Sequence, residues 1–354
     1  MRVLMLVNWK VENCTSTPYD KQPPDYYVKG QDYWFFRYFA DKPQVDVLDI
    51  SSFPWLERFE KNTIRFYLWQ ALKAIPRLDK YDLIVSHGMQ SGIAIALWRR
   101  VFKTKIKHVV FDIGSFASAS ESGFALKLMQ FASKSIDGVI YHTSSQIDYY
   151  KKFFPWIVDK SQFIRFGTDL DFFSSDNLIQ KRDKDSYILC VGYAKRDWDT
   201  LVKAYQALTI PISLRLVGHV NNQYRKIDGL EQLDFIPVTA LKEHIFNAKL
   251  CVLPLECFNY SFGQMTLMQQ MALGKCVIAS RVPSLVDYGE DGKTVVFYNS
   301  GDPEDLKRRI EMVLEDDDML QAIGMEAKRS LQKYCNEEKM AKNIERFFHK
   351  ICCA

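Results

Sequence analysis

The chain has 354 residues, of which 47% are hydrophobic and 25% are charged, and its net charge is +4. This length exceeds the size at which a single core normally keeps growing, so we expect two domains. The composition excludes a disordered or fibrous protein, and the small net charge gives no support for a nucleic-acid partner.

The cysteines and the apolar runs indicate the cellular compartment of the protein. Eight cysteines are scattered along the chain, and none forms a C-x-x-C pair. Several fall within apolar runs, where a reduced cysteine acts as a small hydrophobic residue. The N-terminal run is too short for the apolar core of a signal peptide, and no run is long enough to span a membrane. We therefore expect a cytoplasmic protein.

Short apolar runs alternate with helical patterns through the whole chain, which is typical of doubly wound parallel sheets. In the first half, the runs predict strands at 3–7, 45–50, 83–86, 108–111, 138–141 and 163–165. In the second half, they predict strands at 187–191, 213–217, 233–236, 250–255, 276–279 and 294–297. Helices are expected between the strands, and a long one should end the chain.

Residues 260–280 combine a small-residue loop, a helix, a glycine stop and a buried strand. Ser261 and Gly263 come just before the apolar helix positions, and Gly274 ends the helix. A loop that opens a helix in this way presents unpaired backbone N–H groups and the positive end of the helix dipole. Phosphate is the usual ligand of such a site.

This segment resembles the donor-sugar helix of retaining glycosyltransferases with the GT-B fold (glycosyltransferase family 4, group 1 type). Two more segments resemble motifs of that family in the same order. Residues 166–173 (FGTDLDFF) resemble its interdomain segment, and residues 188–204 resemble its strand–glycine–helix phosphate loop. The resemblance implies two Rossmann-like, doubly wound parallel-sheet domains facing a central cleft, with ligands at the carboxyl ends of the strands.

The domain organisation follows from the same resemblance. Residues 1–170 would form the acceptor-side domain, and residues 171–337 would form the nucleotide-sugar-binding domain. The terminal helix, 338–354, would cross back onto the first domain. The polar segment 174–186 lacks periodicity and is the expected linker.

The donor diphosphate is expected in the second domain. Lys195 and Arg196 follow Gly192 at a strand end, where two cations can neutralise a diphosphate as its bond to the sugar breaks. A solvated basic turn is the alternative. The loop before the donor helix would bind phosphate or sugar through Ser261, Gly263, Gln264, Met265 and Thr266. Ser261 or Thr266 would cap the helix, and an ordinary capped helix is the alternative.

Relatives hold the donor with two glutamates, and neither has a clear counterpart in this chain. The second position falls on Gln269, which we expect to bind the donor ribose through its amide. His219 is expected to line the base pocket. These departures leave the donor sugar open, and they keep a catalytically weak sugar-nucleotide-binding protein as an alternative.

The acceptor-side candidates lie at strand ends of the first domain. Asp112 stands where relatives often carry a histidine close to the reacting carbon. We expect its carboxylate to orient or deprotonate the acceptor hydroxyl, with a turn or helix-cap role as the alternative. His87 also ends a strand at the cleft and is the other catalytic candidate. His142 ends a strand as well, and we expect it to be structural.

Two further stretches have two interpretations each. Residues 99–107 hold five cations and no acid, with interleaved apolar residues. They would contact an anionic membrane surface or form a solvated helix end. The aromatic stretch 26–39 would pack the core or line an acceptor groove, and core packing is favoured for most of it.

Together these features predict an enzyme of the hexosyltransferase type (EC 2.4). It would transfer a sugar, with retention, from a nucleotide-diphosphate donor, a UDP-sugar, to a lipid-linked, polysaccharide or small-molecule acceptor. No cofactor or metal is expected, since the D-x-D spelling at Asp169 and Asp171 lies in the interdomain segment. Cell-envelope polysaccharide is the expected pathway, at the inner face of the membrane. A sugar-nucleotide epimerase of the same architecture is the alternative.

Overall fold

Two parallel six-stranded sheets form the frame of the chain. The computed structural model describes residues 1–114, 116, 121–176, 178–179, 186–218, 220–258 and 260–353. The strands, in chain order, are β1 (Arg2–Leu6), β2 (Glu12–Cys14), β3 (Tyr26–Val28), β4 (Gln44–Leu48), β5 (Leu83–His87), β6 (Lys107–Asp112), β7 (Gly138–Tyr141), β8 (Ser161–Phe163), β9 (Tyr187–Gly192), β10 (Ser213–Gly218), β11 (Leu230–Leu233), β12 (Leu250–Leu253), β13 (Val277–Ser280) and β14 (Val296–Tyr298).

Helices connect the strands and cover the sheets. In chain order they are α1 (Pro54–Phe59), α2 (Leu68–Ala74), α3 (Met89–Phe102), α4 (Phe124–Ser133), α5 (Gln146–Phe153), α6 (Pro155–Val158), α7 (Trp198–Gln206), α8 (Val238–Asn247), α9 (Gln264–Ala272), α10 (Pro283–Val286), α11 (Pro303–Leu314), α12 (Asp317–Tyr334) and α13 (Glu337–Cys352). A 3₁₀ helix, Trp34–Tyr38, lies between β3 and β4.

The strand orders locate the ligand-binding edge of each sheet. The first sheet runs β4-β1-β5-β6-β7-β8, and the second runs β11-β10-β9-β12-β13-β14. In the first sheet the order reverses between β1 and β5, and in the second it reverses between β9 and β12. Ligands of open parallel sheets bind at such reversal points, outside the carboxyl ends of the strands. A separate pair, β2 and β3, is also parallel.

The α/β fold expected from the sequence is confirmed, with two strands displaced. The strand expected at 163–165 is β8, Ser161–Phe163, and the second displaced strand is β11. Residues 233–236 were expected as a strand, but β11 is Leu230–Leu233, paired with β10 alone. The apolar residues after Leu233 suggested the later position. Phe235 is 75% exposed and contacts the ring of Tyr193 instead. An edge strand has one pairing partner, so register with β10 decides its position.

The aromatic stretch 26–39 contributes mainly to the core, as favoured above. Its buried members are Tyr33, Trp34, Phe35, Phe36 and Phe39. They pack in one cluster with β1, β5 and β6. The apolar face of α13 packs in the same cluster through Ile344, Phe347 and Phe348. The last helix of the chain therefore covers the first sheet, while the domain bounds at 170 and 337 remain a prediction.

The chain passes between the two sheets twice, at residues 167–168 and at residues 335–337. The two crossings pack against each other through their backbones. Thr168 N donates to Cys335 O at 3.1 Å, and Glu337 N donates to Thr168 O at 3.1 Å. A Cβ atom on Gly167 would lie 2.4 Å from the carbonyl oxygen of Asn336. Only glycine permits this approach, because any side chain would push the two segments apart.

A charge cluster joins the crossings to the N-terminal half. Arg37 donates from Nη2 to Asp169 at 2.9 Å and to Glu337. Burial lowers the pKa of Arg37, but the carboxylates of Glu337 and Asp169 outweigh it, and the net shift is upward. Burial also raises the pKa of Glu337 to about 7, despite Arg37. One cation thus faces two carboxylates, and burial favours the protonated form of Glu337.

No helix in the described part of the chain combines the length and apolar character needed to cross a bilayer.

The close approach at Gly167 generates a stability prediction. Gly167→Ala should lower the free energy of unfolding by about 1–3 kcal/mol, because the added methyl group must displace the Asn336 backbone. Denaturant unfolding measures this. Asp171→Ala is the matched control in the same crossing segment, where the side chain is exposed. Its effect should stay within about 0.5 kcal/mol. Equal stability of both variants would contradict the steric argument.

Candidate active site

The carboxyl ends of the two sheets face each other. Gln264, the first residue of α9, donates from Nε2 to Thr143 Oγ1, just after β7, at 3.0 Å. Tyr260 packs on Gly114, where a Cβ atom would lie 2.7 Å from its ring. These contacts join loops at the carboxyl ends of both sheets. A cleft between facing strand ends is therefore the place where two substrates can meet.

Arg196 is buried beneath the β9–α7 loop. Its Nε donates to Val191 O at 2.8 Å and its Nη1 to Ala194 O at 3.2 Å. Its Nη2 donates to Thr266 Oγ1, in the first turn of α9, at 3.1 Å. A Cβ atom on Gly192 would lie 2.2 Å from Arg196 Nε, so glycine is required there. The side chain thus connects the phosphate loop to the donor helix.

The charge of Arg196 has no acidic partner in the described residues. The side chain is only 8% exposed, and burial lowers its pKa, with Cys190 acting weakly in the opposite direction. An arginine stays protonated even so. A buried cation without a counter-ion is costly, so the arrangement favours binding of an anion. Lys195 is exposed, with its ammonium 4.5 Å from the Phe258 ring centroid.

The N-cap of α9 differs from the one expected from the sequence. The N-cap residue is Gly263, which has φ +85° and no side-chain acceptor for the helix. Neither Ser261 nor Thr266 caps α9, and Thr266 Oγ1 instead accepts from Arg196. The first N–H groups of α9 consequently lack a side-chain acceptor, which suits them for an anion. A Cβ atom on Gly263 would lie 2.5 Å from Leu255.

The other donor-site candidates differ in exposure. Gln264 is buried and engaged with Thr143, whereas Met265 is exposed. Gln269 is 8% exposed, and its amide makes no hydrogen bond to the described residues. It therefore keeps free amide groups, as binding of ribose hydroxyls requires. His219, expected in the base pocket, lies outside the described residues, as does most of 174–186.

Asp112 has the contacts of a turn residue. Its Oδ1 accepts from the backbone N–H of Gly114 at 2.9 Å and of Phe116 at 3.3 Å. Its Oδ2 accepts from Tyr150 Oη at 2.6 Å and from Gln146 Nε2 at 3.1 Å. The residue is completely buried. The carboxylate is thus already engaged by its own half of the chain, which matches the alternative given above.

His87 is the acceptor-side candidate with free nitrogens. It is the last residue of β5 and is 7% exposed, and neither ring nitrogen has a hydrogen-bond partner in the part of the chain that the structure describes. Burial lowers its pKa to about 3, with a smaller contribution from His142, so the ring is neutral. Trp9 contacts it edge-on at 4.7 Å between ring centroids. His87 therefore stands at the reversal point between β1 and β5.

His142 is held in place by its backbone neighbourhood. Its Nδ1 lies 2.7 Å from Ile164 O, which fixes that nitrogen as the donor of the neutral ring. Burial lowers its pKa to about 4. The structural role expected from the sequence agrees with this contact.

The D-x-D spelling forms part of the interdomain contacts. Asp169 pairs with Arg37, and its Oδ1 accepts from the backbone N–H groups of Asp171 and Phe172 at 3.1 Å each. A search of the described residues for potential metal ligands finds one group, Asp41, Glu345 and His349, at the surface. The Nε2 atom of His349 lies 3.0 Å from Oδ2 of Asp41, and nothing further in the described residues marks a metal site there.

The sequence places Gln264 and Tyr260 in the donor segment, but it does not indicate their partners on the other sheet. These partners, Thr143 and Gly114, have no motif of their own. Trp9 and Trp34, which surround His87, were noted only as part of an N-terminal run and an aromatic stretch. A tryptophan two residues after an apolar strand was the available signal, since strand ends are where ligands bind.

The contacts of Asp112 give a prediction that separates its two interpretations. Asp112→Asn should lower the free energy of unfolding by about 1–3 kcal/mol, because an amide N–H₂ cannot accept the hydrogen bonds that one carboxylate oxygen now accepts. Denaturant unfolding measures it, with the exposed Asp234→Asn as control. Unchanged stability together with lost transfer activity would instead restore the role in acceptor chemistry.

The chain is similar to known glycosyltransferases. Residues 185–316 match the family model "Glycosyl transferases group 1". An uncharacterised glycosyltransferase of Methanocaldococcus jannaschii is 23% identical over 276 residues, which cover 71% of this chain and 70% of that protein.

Among solved structures, sucrose-phosphate synthase from Thermosynechococcus elongatus has a TM-score of 0.70 at 17% identity, and the match covers 100% of both chains. HepE from Anabaena in complex with UDP-glucose has a TM-score of 0.69 at 13% identity, covering 99% of this chain and 100% of that one. At such identities the likeness establishes the fold, which is GT-B.

The family model spans β9 to α11, including the Arg196 loop and α9. The expected enzyme class, a glycosyltransferase (EC 2.4), is confirmed at the level of this domain. The chain therefore has the GT-B fold, and its residues 185–316 form a glycosyl transferases group 1 domain.

Proposed function

We propose that the protein transfers a sugar from a UDP-sugar to a hydroxyl group of a lipid-linked, polysaccharide or small-molecule acceptor. The observation that carries the proposal is the buried guanidinium of Arg196. It has no acidic partner among the described residues, and it contacts the first turn of the uncapped helix α9. A diphosphate is an anion that this pair of features suits.

The donor would lie with its diphosphate between Arg196 and the N-terminus of α9. Negative charge grows on the diphosphate as the bond to the sugar breaks, and fixed donors placed there stabilise that charge. Gln269, with its free amide, is the candidate for the ribose hydroxyls. The uridine assignment draws on HepE, which has been solved with UDP and with UDP-glucose.

The same features support transfer without a metal ion. Arg196, the exposed Lys195 and the α9 N-terminus supply positive charge at the place where a metal would otherwise neutralise the diphosphate. Retention of configuration would follow if the acceptor attacks from the face that the diphosphate leaves. The departing diphosphate would then accept the proton of the attacking hydroxyl.

On the acceptor side, His87 replaces Asp112 as the preferred residue. Both nitrogens of His87 lack hydrogen-bond partners among the described residues, whereas the carboxylate of Asp112 is engaged by four donors. A pKa of about 3 makes His87 a weak base, so its role is to accept a hydrogen bond and orient the hydroxyl rather than to remove its proton.

The N-terminal half also presents a surface suited to an anionic membrane. Arg99 is buried and paired with Asp137 at 2.8 Å, so the exposed cations of the basic run are Arg100, Lys103 and Lys105. Beside them, Val101 and Phe102 at the end of α3 are exposed, and so is Phe131 on α4, whose ring lies 5.5 Å from the Arg100 guanidinium. Cations around exposed apolar side chains suit the inner face of a cell membrane. A lipid-linked precursor of cell-envelope polysaccharide would be reached there.

Arg196 variants test the donor site. Arg196→Ala should reduce turnover by about 10²–10³-fold and weaken UDP binding, since it removes the buried cation. Calorimetric titration with UDP and assays of transfer from UDP-sugars measure both. Arg196→Lys, which keeps the charge, should retain part of the binding. The exposed Arg225→Ala is the control.

The outcomes separate the proposed activity from its alternatives. At 100 times its dissociation constant, UDP should raise the free energy of unfolding by about 2.7 kcal/mol. Sugar transfer should require an acceptor and persist in EDTA. Conversion of the donor without an acceptor would indicate an epimerase, and binding without either reaction would indicate a binding protein. Absence of UDP binding would overturn the proposal.

Membrane contact is tested by sedimentation with vesicles of phosphatidylglycerol and phosphatidylcholine. The Lys103→Gln/Lys105→Gln double variant should bind at least tenfold more weakly, because each cation near anionic lipid contributes about 1 kcal/mol. The exposed Lys203→Gln/Lys226→Gln pair in the other half is the control. Equal binding of all three proteins, or no binding to anionic vesicles, would contradict the membrane assignment.

A further inference from the structure

A cavity of 420 Å³ lies in the N-terminal half, outside the donor site described above. Its wall comes from the segment between β2 and the 3₁₀ helix and includes Tyr26, Tyr27, Gln31 and Trp34. The volume falls within the range of small-molecule sites, about 300–1,000 Å³. Aromatic walls with a few polar groups are characteristic of such sites.

The position of the cavity connects it with the acceptor side. Trp34, in its wall, lies 5.8 Å from His87 between ring centroids and 5.9 Å from Trp9. His87 and Trp9 stand at the reversal point of the first sheet. Trp34 thus lines the cavity and also packs near His87, where the reacting hydroxyl is expected.

The backbone of Trp34 supports a functional role for this wall. Its φ angle is +48°, a conformation that is unusual for a bulky residue. Residues held in such conformations cost of order 1–3 kcal/mol and cluster at binding and catalytic sites. Here the strain places the indole between the cavity and His87.

The polar groups of the cavity favour a neutral ligand with many hydroxyls. The hydroxyls of Tyr26 and Tyr27 make no hydrogen bond to the described residues. Arg37 also lines the cavity, but its charge is taken up by Asp169 and Glu337. The carboxylate of Asp32 at the rim pairs with a lysine at 3.0 Å. No unpaired cation therefore remains among the described wall residues to bind a phosphate.

We infer that this cavity binds a sugar ring of the acceptor. A pyranose presents apolar C–H groups on its faces, which can pack on tyrosine and indole rings, and hydroxyls around its edge. Those hydroxyls can bond to Tyr26 Oη, Tyr27 Oη and the exposed amide of Gln31. This deepens the proposed function, on which it rests, by naming a glycan as acceptor and the cavity as the subsite beside the reacting hydroxyl.

The experiment measures binding of four disaccharides, cellobiose, maltose, lactose and chitobiose, by saturation-transfer NMR and titration. At least one should bind the wild-type protein. Tyr26→Ala and Gln31→Ala should weaken that binding, about tenfold for the tyrosine. Tyr26→Phe should keep most of the binding, since it keeps the ring. Tyr19→Ala is the control, because Tyr19 is 87% exposed and outside the cavity wall.

The outcomes are distinct from those of the donor site. Melting temperatures of the variants exclude misfolding, and Gln31, at the exposed rim, provides a readout if Tyr26→Ala is unstable. Stabilisation by UDP should be the same in all variants. If none of the four disaccharides binds, or if the wall variants bind them like the wild-type protein, the cavity assignment is overturned while UDP binding still supports the proposed function.

Discussion

The arrangement of the two sheets depends on the close approach of two chain crossings, in which Gly167 lies against the backbone of Asn336. Hydrogen bonds between these segments, and the cluster of Arg37, Asp169 and Glu337, tie the crossings to the N-terminal half. Because the sheets are joined here, their carboxyl ends face each other across the cleft. Every functional assignment above assumes that geometry.

The donor side is organised by charge without a counter-ion. Arg196 is placed by three hydrogen bonds to oxygens, none of which carries a full charge, and α9 begins at a glycine that offers no cap. An anion would satisfy both groups together. Burial of Arg196 without an anion destabilises the folded protein. Binding of the anion offsets that cost and so raises the free energy of unfolding.

The acceptor side is organised by aromatic side chains instead. His87 is neutral and lies among Trp9, Trp34 and Phe111. Such surroundings exclude water and place few charges near the reacting hydroxyl. A charged donor site and largely neutral surroundings of His87 are consistent with an ionic leaving group on one side and a polyhydroxyl acceptor on the other.

The sequence by itself determined the parallel sheets and the helix after Gly263. These depend on local periodicity and, at Gly263, on a backbone conformation with positive φ that few residues adopt. The tertiary structure alone decided which partners the individual polar side chains have. Asp112 and Arg196 both follow strands and are equally plausible as catalytic groups, yet Tyr150 engages Asp112, and no carboxylate in the described residues approaches Arg196. Partners distant in sequence settle that difference, and no local pattern encodes them.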